Sequence, residues 1–401
     1  MKRTFSIPRH ARGKQGGFSI VELMVSVVIG LLALMFATRM IVNSEKTKQT
    51  AMGGSDAMQN GMAAMFSISG DISQAGFGLN DPLLAGCDTT MADNGGVGYH
   101  LASATRNGAA ITPLSPVIIE SGNTGSDVVS LYAGGSMTGT PSVRLRAPFS
   151  GGTSVSIDRD PYGFSADDVI VIAPELAGTK CSLVQLSETP VLGASDPVLR
   201  FASGGGRRFN SGAPVNNFTI RSRVFNLGPA SKLALHTWSV KDGFLQLSAT
   251  DLPNSETSGA TVADNIVSLK AQYGFDTRVG PLFTPQDGIN VAVWSSTMID
   301  ADGIGGAGSA GDYQRIAAVR VAVVARSKAP ARPDPGGTCD ATTAEPQVFT
   351  SKQPDGAAAK PITVKVAVTG DTVDWKCYRY RVFETIVPVR NSAWRPTAWA
   401  K

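Results

Sequence analysis

The side chains that could carry out chemistry are few in this sequence of 401 residues. It contains three histidines, His10, His100 and His236. So few histidines argue against a Ser-His-Asp triad or a multi-histidine metal site. His236 lies in the strand-like run KLALHTWSV, where a partly buried histidine between strands is the ordinary interpretation. We therefore expect no catalytic residue, no metal and no cofactor, and predict that the protein is not an enzyme.

Two short patterns resemble ligand-binding motifs. Residues 303–308, GIGGAG, satisfy GxGxxG, but neither a helix-opening βαβ context nor a following ribose-binding acid is evident, so a loop is expected. Asp300, Asp302 and Gly303 resemble a fragment of a calcium loop. The third ligand position and the bidentate Glu of such a loop are missing from the expected places, so we do not predict a metal site.

The four cysteines favour disulfides over metal binding. Cys87, Cys181, Cys339 and Cys377 are widely spaced and form no CxxC pair, which argues against a zinc knuckle or a thioredoxin-like site. An even number in an exported chain is typical of disulfides, and four cysteines allow three pairings. We favour Cys87 with Cys181 and Cys339 with Cys377, and free thiols buried in the core are the alternative.

The excess of positive charge is confined to the first residues. The chain has 36 Lys and Arg against 32 Asp and Glu, and five of the basic residues lie in residues 1–17, which contain no acid. The rest of the chain holds 31 basic and 32 acidic side chains, so its surface has no general attraction for phosphate backbones. A basic cluster at residues 200–223, centred on Arg207 and Arg208, is typical of a solvated loop. We expect no nucleic-acid partner.

The N-terminal segment gives the strongest signal. Residues 18–37, FSIVELMVSVVIGLLALMFA, contain one charged side chain and are long enough to cross about 30 Å of hydrocarbon as a helix. Five basic residues precede this run and only Arg39 follows it closely, so the positive-inside rule places the leader in the cytoplasm and the body outside. A secretory signal is cleaved after its apolar run, whereas Gly16 and Gly17 stand before this one.

Gly17, Phe18 and Glu22 resemble the type IV prepilin signature, in which a basic leader ends in Gly, an aromatic residue follows and a Glu stands four residues later. The resemblance implies that prepilin peptidase, a membrane aspartyl protease, cuts between Gly17 and Phe18 and methylates the new amine of Phe18. It also implies that Glu22 acts in assembly, by pairing with the N-terminal amine of a neighbouring pilin. A carboxylate in a spanning helix costs ~2.5–3.5 kcal/mol, and the alternative is that Glu22 snorkels to the cytoplasmic interface.

The same helix is predicted to continue beyond the membrane. No Pro occurs between Phe18 and Leu79, so the helix should run to about Ser73, with Gly53 and Gly54 as a kink or local melting point. Large apolar residues recur at helical spacing in its outer half and are expected to form a face that packs on the core. These are Met58, Met62, Met65 and Ile72, with Phe66 beside them.

The remaining chain is predicted to be rich in antiparallel strands. It has 44 Gly, 23 Pro and only 17% charged residues, a composition typical of short strands joined by many turns. Strands are expected at residues 127–132, 142–147, 168–173, 181–187, 234–240, 266–273, 316–325, 362–368 and 378–389. Two sheets, or one sheet with a large insertion, are both allowed.

Several segments resemble the PilW-like minor pilins of the type IVa pilus. Residues 71–77, DISQAGF, resemble the DI-x-x-AG-aromatic segment at the end of the long helix, and residues 267–276 resemble the YG-x-D strand. Residues 319–327 resemble the paired VR and RS stretch, and residues 378–391 resemble the terminal strand. Residues 87–261 match no family pattern.

These features predict a pilin-like α+β fold, with a long N-terminal transmembrane and amphipathic helix followed by a β-rich antiparallel globular region. The expected parts are the cleaved leader 1–17, the helix 18–78 that spans the membrane over 18–37, an unmatched β-rich region 79–260 and a C-terminal β-sheet region 261–401. The resemblance implies a minor pilin that helps to initiate a type IV pilus or assemble its tip. The filament could serve twitching, adhesion or DNA uptake.

The partners and location follow from the same resemblance. The expected partners are other minor pilins, the major pilin, prepilin peptidase, the inner membrane and a tip adhesin. The protein should be a single-pass inner-membrane protein with its body in the periplasm, and then part of the pilus. The alternative is a type II secretion pseudopilin, and a more distant one is a single-span, envelope-anchored enzyme or binding protein.

Overall fold

The computed structural model describes residues 17, 19–79, 81–91, 101–135, 142–175, 180–204, 206–210, 216–252, 255, 259–284, 288–333 and 336–392, apart from the side chains of residues 46, 49–52 and 392. The chain divides into two compact units, Met1–Met52 and Gly53–Lys401. A long helix at the N-terminus and a strand-rich remainder confirm the predicted α+β class.

Helix α1 covers Ile20–Gln74, close to the predicted extent. It begins after Ser19, whose carbonyl accepts a hydrogen bond from the Leu23 amide and whose hydroxyl accepts one from the Val21 amide. It ends before Gly76, which adopts a left-handed conformation (φ 82°) that is common after a helix C-terminus. The helix shows no break at Gly53 and Gly54, so the local melting point expected there is absent.

The strands are short and many. They are β1 Cys87–Met91, β2 Ala104–Arg106, β3 Ala109–Ile111, β4 Pro113–Leu114, β5 Val117–Glu120, β6 Val128–Ala133, β7 Ser142–Arg144, β8 Ser154–Ser156, β9 Asp168–Ala173, β10 Cys181–Gln185, β11 Val198–Arg200, β12 Arg223–Pro229, β13 Ala234–Lys241, β14 Phe244–Ala249, β15 Ala260–Asp264, β16 Ile266–Phe275, β17 Val293–Ser295, β18 Ile316–Arg326, β19 Gln347–Val348, β20 Ile362–Thr363 and β21 Tyr380–Pro388. The short helix α2 covers Ala310–Tyr313, and single turns of 3₁₀ helix cover Ala230–Lys232, Gly280–Leu282, Trp375–Cys377 and Arg390–Ser392.

Six strands form a mixed sheet in the order β4-β1-β10-β9-β12-β7. Every residue of β9 and β10 is buried, as expected for strands covered on both faces. The pair β1 and β10 is parallel, with Thr89 opposite Cys181, and is the exception in this sheet to the predicted antiparallel pairing, which the other described pairs follow. The physical reason is the long segment between the two strands, which allows the chain to return in the same direction, whereas a tight hairpin would force an antiparallel pair.

Two further sheets enclose the largest core. One has the order β15-β14-β13-β6-β5, and the other has the order β17-β16-β18-β21. Ala57, Ala64, Ile68 and Ile72 of α1 share one buried cluster with residues of both sheets. The division between regions 79–260 and 261–401 remains a proposal about chain segments, since β15 itself spans that boundary.

The segment between Cys339 and Cys377, which a disulfide joins, covers the opposite face of the four-stranded sheet. Val348, Phe349, Val364 and Val366 pack there against residues of β16 and β18. The expected strand over 362–368 is reduced to β20, Ile362–Thr363, paired with β19. After β20, Val364 and Val366 are buried in the cluster that packs on this sheet, and neither belongs to a strand.

Candidate functional site

Gly17 and Glu22, two of the residues that the sequence assigned to processing and assembly, lie at the N-terminus of α1. Gly17 is exposed just before the helix, and a Cβ at this position would meet no atom within 4 Å. The fold therefore does not require glycine at position 17, and a requirement for a small residue would come from a processing enzyme. Phe18 lies outside the described residues.

Glu22 occupies the first turn of α1 and is exposed. A carboxylate near a helix N-terminus interacts favourably with the helix dipole, which gives Glu22 a local reason to be tolerated here. Among the ion pairs between described residues, none involves Glu22. If Glu22 lies in hydrocarbon, its negative charge would need an ion-pair partner from outside the described residues.

The helix that carries Glu22 is long and apolar enough to cross a membrane. The candidate span is Ile20–Glu45, 26 residues with a mean hydropathy of 2.6, and none of its most apolar window is buried within the protein. It starts two residues later and ends eight residues later than the predicted span of 18–37. This helix is consistent with membrane anchoring.

From Gly53 onward α1 packs on the core through small residues first and through Ile68 and Ile72 nearer its end, so the predicted core face was wrong in part. Met58, Met62 and Phe66 are exposed, at 46%, 49% and 82%, although we predicted that they would pack on the core. Of that series, Ile72 is fully buried and Met65 is partly buried against the core. The buried positions instead include Ala57 and Gly61, which let the helix approach the sheet closely.

Gly61 shows how close this approach is. A Cβ at Gly61 would lie only 2.0 Å from the ring of Phe383 on β21, so the helix could not sit here with a larger residue unless Phe383 moved. Small residues at the spacing of Gly53, Ala57, Gly61 and Ala64 were visible in the sequence. The interpretation failed because it placed the largest apolar side chains inside, whereas the close contact requires the smallest.

A polar cluster fixes the end of α1 to the five-stranded sheet. The Asp71 carboxylate accepts a hydrogen bond from Trp238 Nε1 at 2.8 Å and lies 2.8 Å from His236 Nδ1. Asp251 lies 2.9 Å from His236 Nε2. Burial lowers the pKa of His236, but the hydrogen bonds and charges of Asp71 and Asp251 outweigh it and raise the pKa to about 9. His236 is thus a charged link between helix and sheet.

Two disulfides join the cysteines in the favoured pairing. Cys87 is bonded to Cys181, with 6.1 Å between their Cα atoms, and Cys339 is bonded to Cys377, with 4.9 Å between theirs. The first joins β1 to β10 in the six-stranded sheet, and the second closes the segment that covers the four-stranded sheet.

The calcium-like fragment gains a third acid in the fold. Carboxylate oxygens of Asp300, Asp302 and Asp312 lie within 4.8 Å of one another. The buried Asp312 carboxylate accepts hydrogen bonds from the amides of Ala301, Asp302 and Ser309, so its burial is explained without an ion. The GxGxxG residues form turns before the four-residue helix α2, in agreement with the expected loop.

The basic cluster at residues 200–223 is engaged with protein groups. Arg200 pairs with Glu188, Arg207 with Asp167, and Arg223 with Asp81 and Glu175. Arg208 donates a hydrogen bond to the Thr250 carbonyl. These arginines are therefore occupied in holding loops to strands. His10 and His100 lie outside the described residues.

Two family models match the chain at the places where these features lie. The prokaryotic N-terminal methylation motif matches residues 12–38, which include Gly17, Phe18 and Glu22. The model described as type IV pilus-assembly protein W, PilW, matches residues 239–391. Together these two matches support a PilW-like type IV prepilin. No curated protein and no solved structure gives a significant match.

The PilW match covers the part of the prepilin body that forms the four-stranded sheet and its disulfide-closed covering segment. PilW is an assembly family rather than a known enzyme family. The intervening residues, which include the six-stranded sheet, lie outside both matches.

Proposed function

We propose that this prepilin is a minor pilin that helps to initiate a type IV pilus and assemble its tip by packing α1 against the helices of other pilins. The observation that carries the proposal is Glu22, an exposed carboxylate in the first turn of an apolar helix with no ion-pair partner among the described residues. An N-terminal amine of a neighbouring subunit would neutralise it. Residues 1–17 would be removed by prepilin peptidase, and Phe18 would carry the new, methylated amine.

The outer side of α1 supports the same role in the body unit. Met58, Met62 and Phe66 are spaced by four residues, so they lie on one side of the helix and form an exposed apolar stripe. A helix that faces water normally carries charged residues on its exposed side. Between Gly53 and Gln74 the charged residues are Asp56 and Asp71, and Asp71 is bonded to His236 and Trp238. A partner helix of low charge fits this stripe.

The proposed location rests on the orientation that the positive-inside rule predicts for the helix. The basic leader would stay in the cytoplasm and the disulfide-bonded body would lie in the periplasm, because disulfides persist in oxidising compartments. The protein would be anchored in the inner membrane before it enters the pilus. Its partners would be other minor pilins, the major pilin and a tip adhesin, and it would have no enzymatic activity.

Glu22 provides the decisive experiment. We expect deletion of the gene to reduce surface pili while the major pilin is still made and processed, and we expect Glu22→Ala to reproduce much of that loss without preventing membrane insertion. Glu22→Gln keeps the shape and removes the charge, so it should also impair piliation. Glu45→Gln makes the same change at the far end of the apolar span and should leave piliation normal. Normal piliation with both Glu22 variants would reject the role of this charge.

The apolar stripe provides a second, independent measurement. Phe66→Gln should reduce piliation and the recovery of cross-linked pilin complexes, because it places an amide in the proposed helix contact. Phe244→Gln changes a phenylalanine that is 40% exposed on β14 and serves as the matched control. Equal effects of the two changes would contradict a specific contact at Phe66.

A type II secretion pseudopilin is the second candidate, because the prepilin signature alone serves both systems. The match to PilW favours the pilus. Normal piliation in the deletion strain, together with loss of protein secretion, would move the assignment to the pseudopilin.

A further inference from the structure

Lys270 and Asp127 form an ion pair that is completely hidden from water. Lys270 lies in β16, and Asp127 lies in the loop of residues 121–127 that connects β5 to β6. Both side chains are 0% exposed, and the Lys270 ammonium contacts the Asp127 carboxylate. By contrast, the side chains of another Lys–Asp pair, Lys180 and Asp88, are 55% and 13% exposed. The proposed assembly role of α1 gives the buried pair no task.

The contacts of the Lys270 amine hold its nitrogen against the carboxyl group. Nζ donates hydrogen bonds to the carbonyl oxygen of Asn123 at 2.9 Å, to that of Gly125 at 3.2 Å and to Asp127 Oδ1. These three acceptors fix the amine from different sides. A buried lysine amine held in contact with an acyl group has the position of a nucleophile.

Backbone amides bind both oxygens of the Asp127 carboxyl group. Oδ1 accepts a hydrogen bond from the Gly122 amide and Oδ2 accepts one from the Ala271 amide, each at 2.8 Å. Backbone donors in this position stabilise the negative oxygen that develops when a carbonyl carbon is attacked. Burial raises the pKa of Asp127, and it outweighs the charge of Lys270 and the hydrogen bonds to the carboxyl group. The acid form of the group is the one that can release an oxygen as water.

The surroundings of the pair favour condensation over hydrolysis. Two groups that are fixed in contact can react as if their concentration were about 10⁵–10⁸ M. Hydrolysis needs a water molecule beside the carboxyl group, and the complete burial of both side chains keeps bulk water away. The loop itself is tightly folded, since a Cβ at Gly122 would lie 2.1 Å from the Ser126 carbonyl oxygen. An amide formed here would therefore persist.

We propose that Lys270 and Asp127 condense into an intramolecular amide, an isopeptide bond, after the chain has folded. One ammonium proton passes to Oδ1, Nζ attacks Cγ and forms the new bond, and the bond between Cγ and Oδ1 breaks. Oδ1 leaves as water with a second proton from Nζ, while Oδ2 remains as the amide oxygen that the Ala271 amide binds. The two charges of the pair cancel, and the step needs no oxidant, reductant or other reactant.

This bond would join two sheets that the disulfides leave unlinked. Lys270 belongs to the four-stranded sheet, and Asp127 directly precedes β6 of the five-stranded sheet, 143 positions away in the chain. One disulfide lies within the six-stranded sheet, and the other closes the covering segment. Residues of α1 pack against both of the sheets that would be joined, so the bond would strengthen the part of the body that holds the helix. The modification does not depend on the proposed function.

Tryptic peptide mapping of the mature full-length protein, denatured and reduced after purification, tests the proposal. Trypsin does not cleave after a lysine whose side-chain amine is part of an amide. We expect no cleavage after Lys270 and a branched peptide, identified by tandem mass spectrometry, that contains Lys270 and Asp127 and is lighter by one water molecule than its two component peptides. Lys180 in its exposed pair is the internal control, and cleavage after it should be complete. Complete cleavage after Lys270, with its peptide recovered unbranched, overturns the proposal whether or not the protein acts in piliation.

Three variants assign the bond to this pair. Lys270→Arg keeps a positive charge beside Asp127 but lacks the amine that condenses, so the peptide that contains Asp127 should be recovered unbranched and at its full mass. Asp127→Ala removes the acyl group and should restore cleavage after Lys270. Asp88→Ala removes the acid of the exposed pair and should leave the branched peptide unchanged. A branched peptide that persists in Lys270→Arg or in Asp127→Ala contradicts the assignment, and so does its loss in Asp88→Ala.

Discussion

The contacts of His236 with Asp71 and Asp251 lead to a quantitative prediction of how the stability of the fold depends on pH. The pKa of His236 is about 9 in the folded protein, against 6.5 for an unperturbed histidine, and the side chain is 20% exposed. Because the folded pKa is the higher one, the protonated ring stabilises the fold. The difference corresponds to about 3 kcal/mol of stability. This contribution is complete below about pH 6.5 and is lost as the pH rises through about 9.

Urea unfolding between pH 6 and pH 10 measures this effect. Tryptophan fluorescence is a suitable signal, since Trp238 donates to the same Asp71 carboxylate that holds His236. We expect the free energy of unfolding of the natural protein to fall by up to about 3 kcal/mol more than that of His236→Gln over this range. Other groups titrate in both proteins, so their contributions cancel in the difference.

Asp251→Asn serves as the control for the electrostatic cause. It removes one of the two carboxylates that raise the pKa of His236, and the decrease with pH should become smaller but not vanish. Parallel pH dependences for the natural protein and His236→Gln would refute the reasoning. A decrease unaffected by Asp251→Asn would refute the part assigned to that carboxylate.

Three further predictions concern processing and the body. Intact-mass analysis should show that residues 1–17 are removed and that a methyl group is added to the new N-terminus. Gly17→Ala should at most slow the cleavage. A mature protein that keeps Met1 would exclude processing. Non-reducing peptide mapping should recover Cys339 linked to Cys377, and reduction of this bridge should destabilise the covering segment by up to about 4 kcal/mol in the chain-entropy model; recovery of either cysteine with another partner would contradict the pairing. Gly61→Ala should lower the free energy of unfolding by roughly 1–3 kcal/mol by overpacking, and Phe383→Leu in the same chain should restore part of it; additive losses in the double variant would contradict the contact.

The local elements of this prepilin were largely readable from the sequence. Apolar runs such as DVIVIA and CSLVQ have strand lengths and β-branched residues, and they become β9 and β10. The absence of Pro between Phe18 and Leu79 permitted one long helix, and α1 has almost the predicted bounds. These features depend on residues close together in the chain, so their spacing alone suffices.

Contacts between segments that are distant in the chain were harder to predict from the sequence. The parallel pairing of β1 with β10 depends on the path of a long intervening segment, which no local pattern encodes. The cluster of Asp71, His236 and Asp251 draws on three separate elements, and His236 was interpreted only as an ordinary strand residue. The sequence also did not place Asp312 beside Asp300 and Asp302, because the fold rather than the spacing of these residues brings their carboxylates together.

The sequence by itself determined the predictions of processing and anchoring, because Gly17, Phe18, Glu22 and the apolar run lie within one continuous segment. Only the tertiary structure decided which side of α1 faces the body. Periodicity shows that a helix has two sides, but the close approach to Phe383 requires small residues at the contact, and this leaves Met58, Met62 and Phe66 exposed.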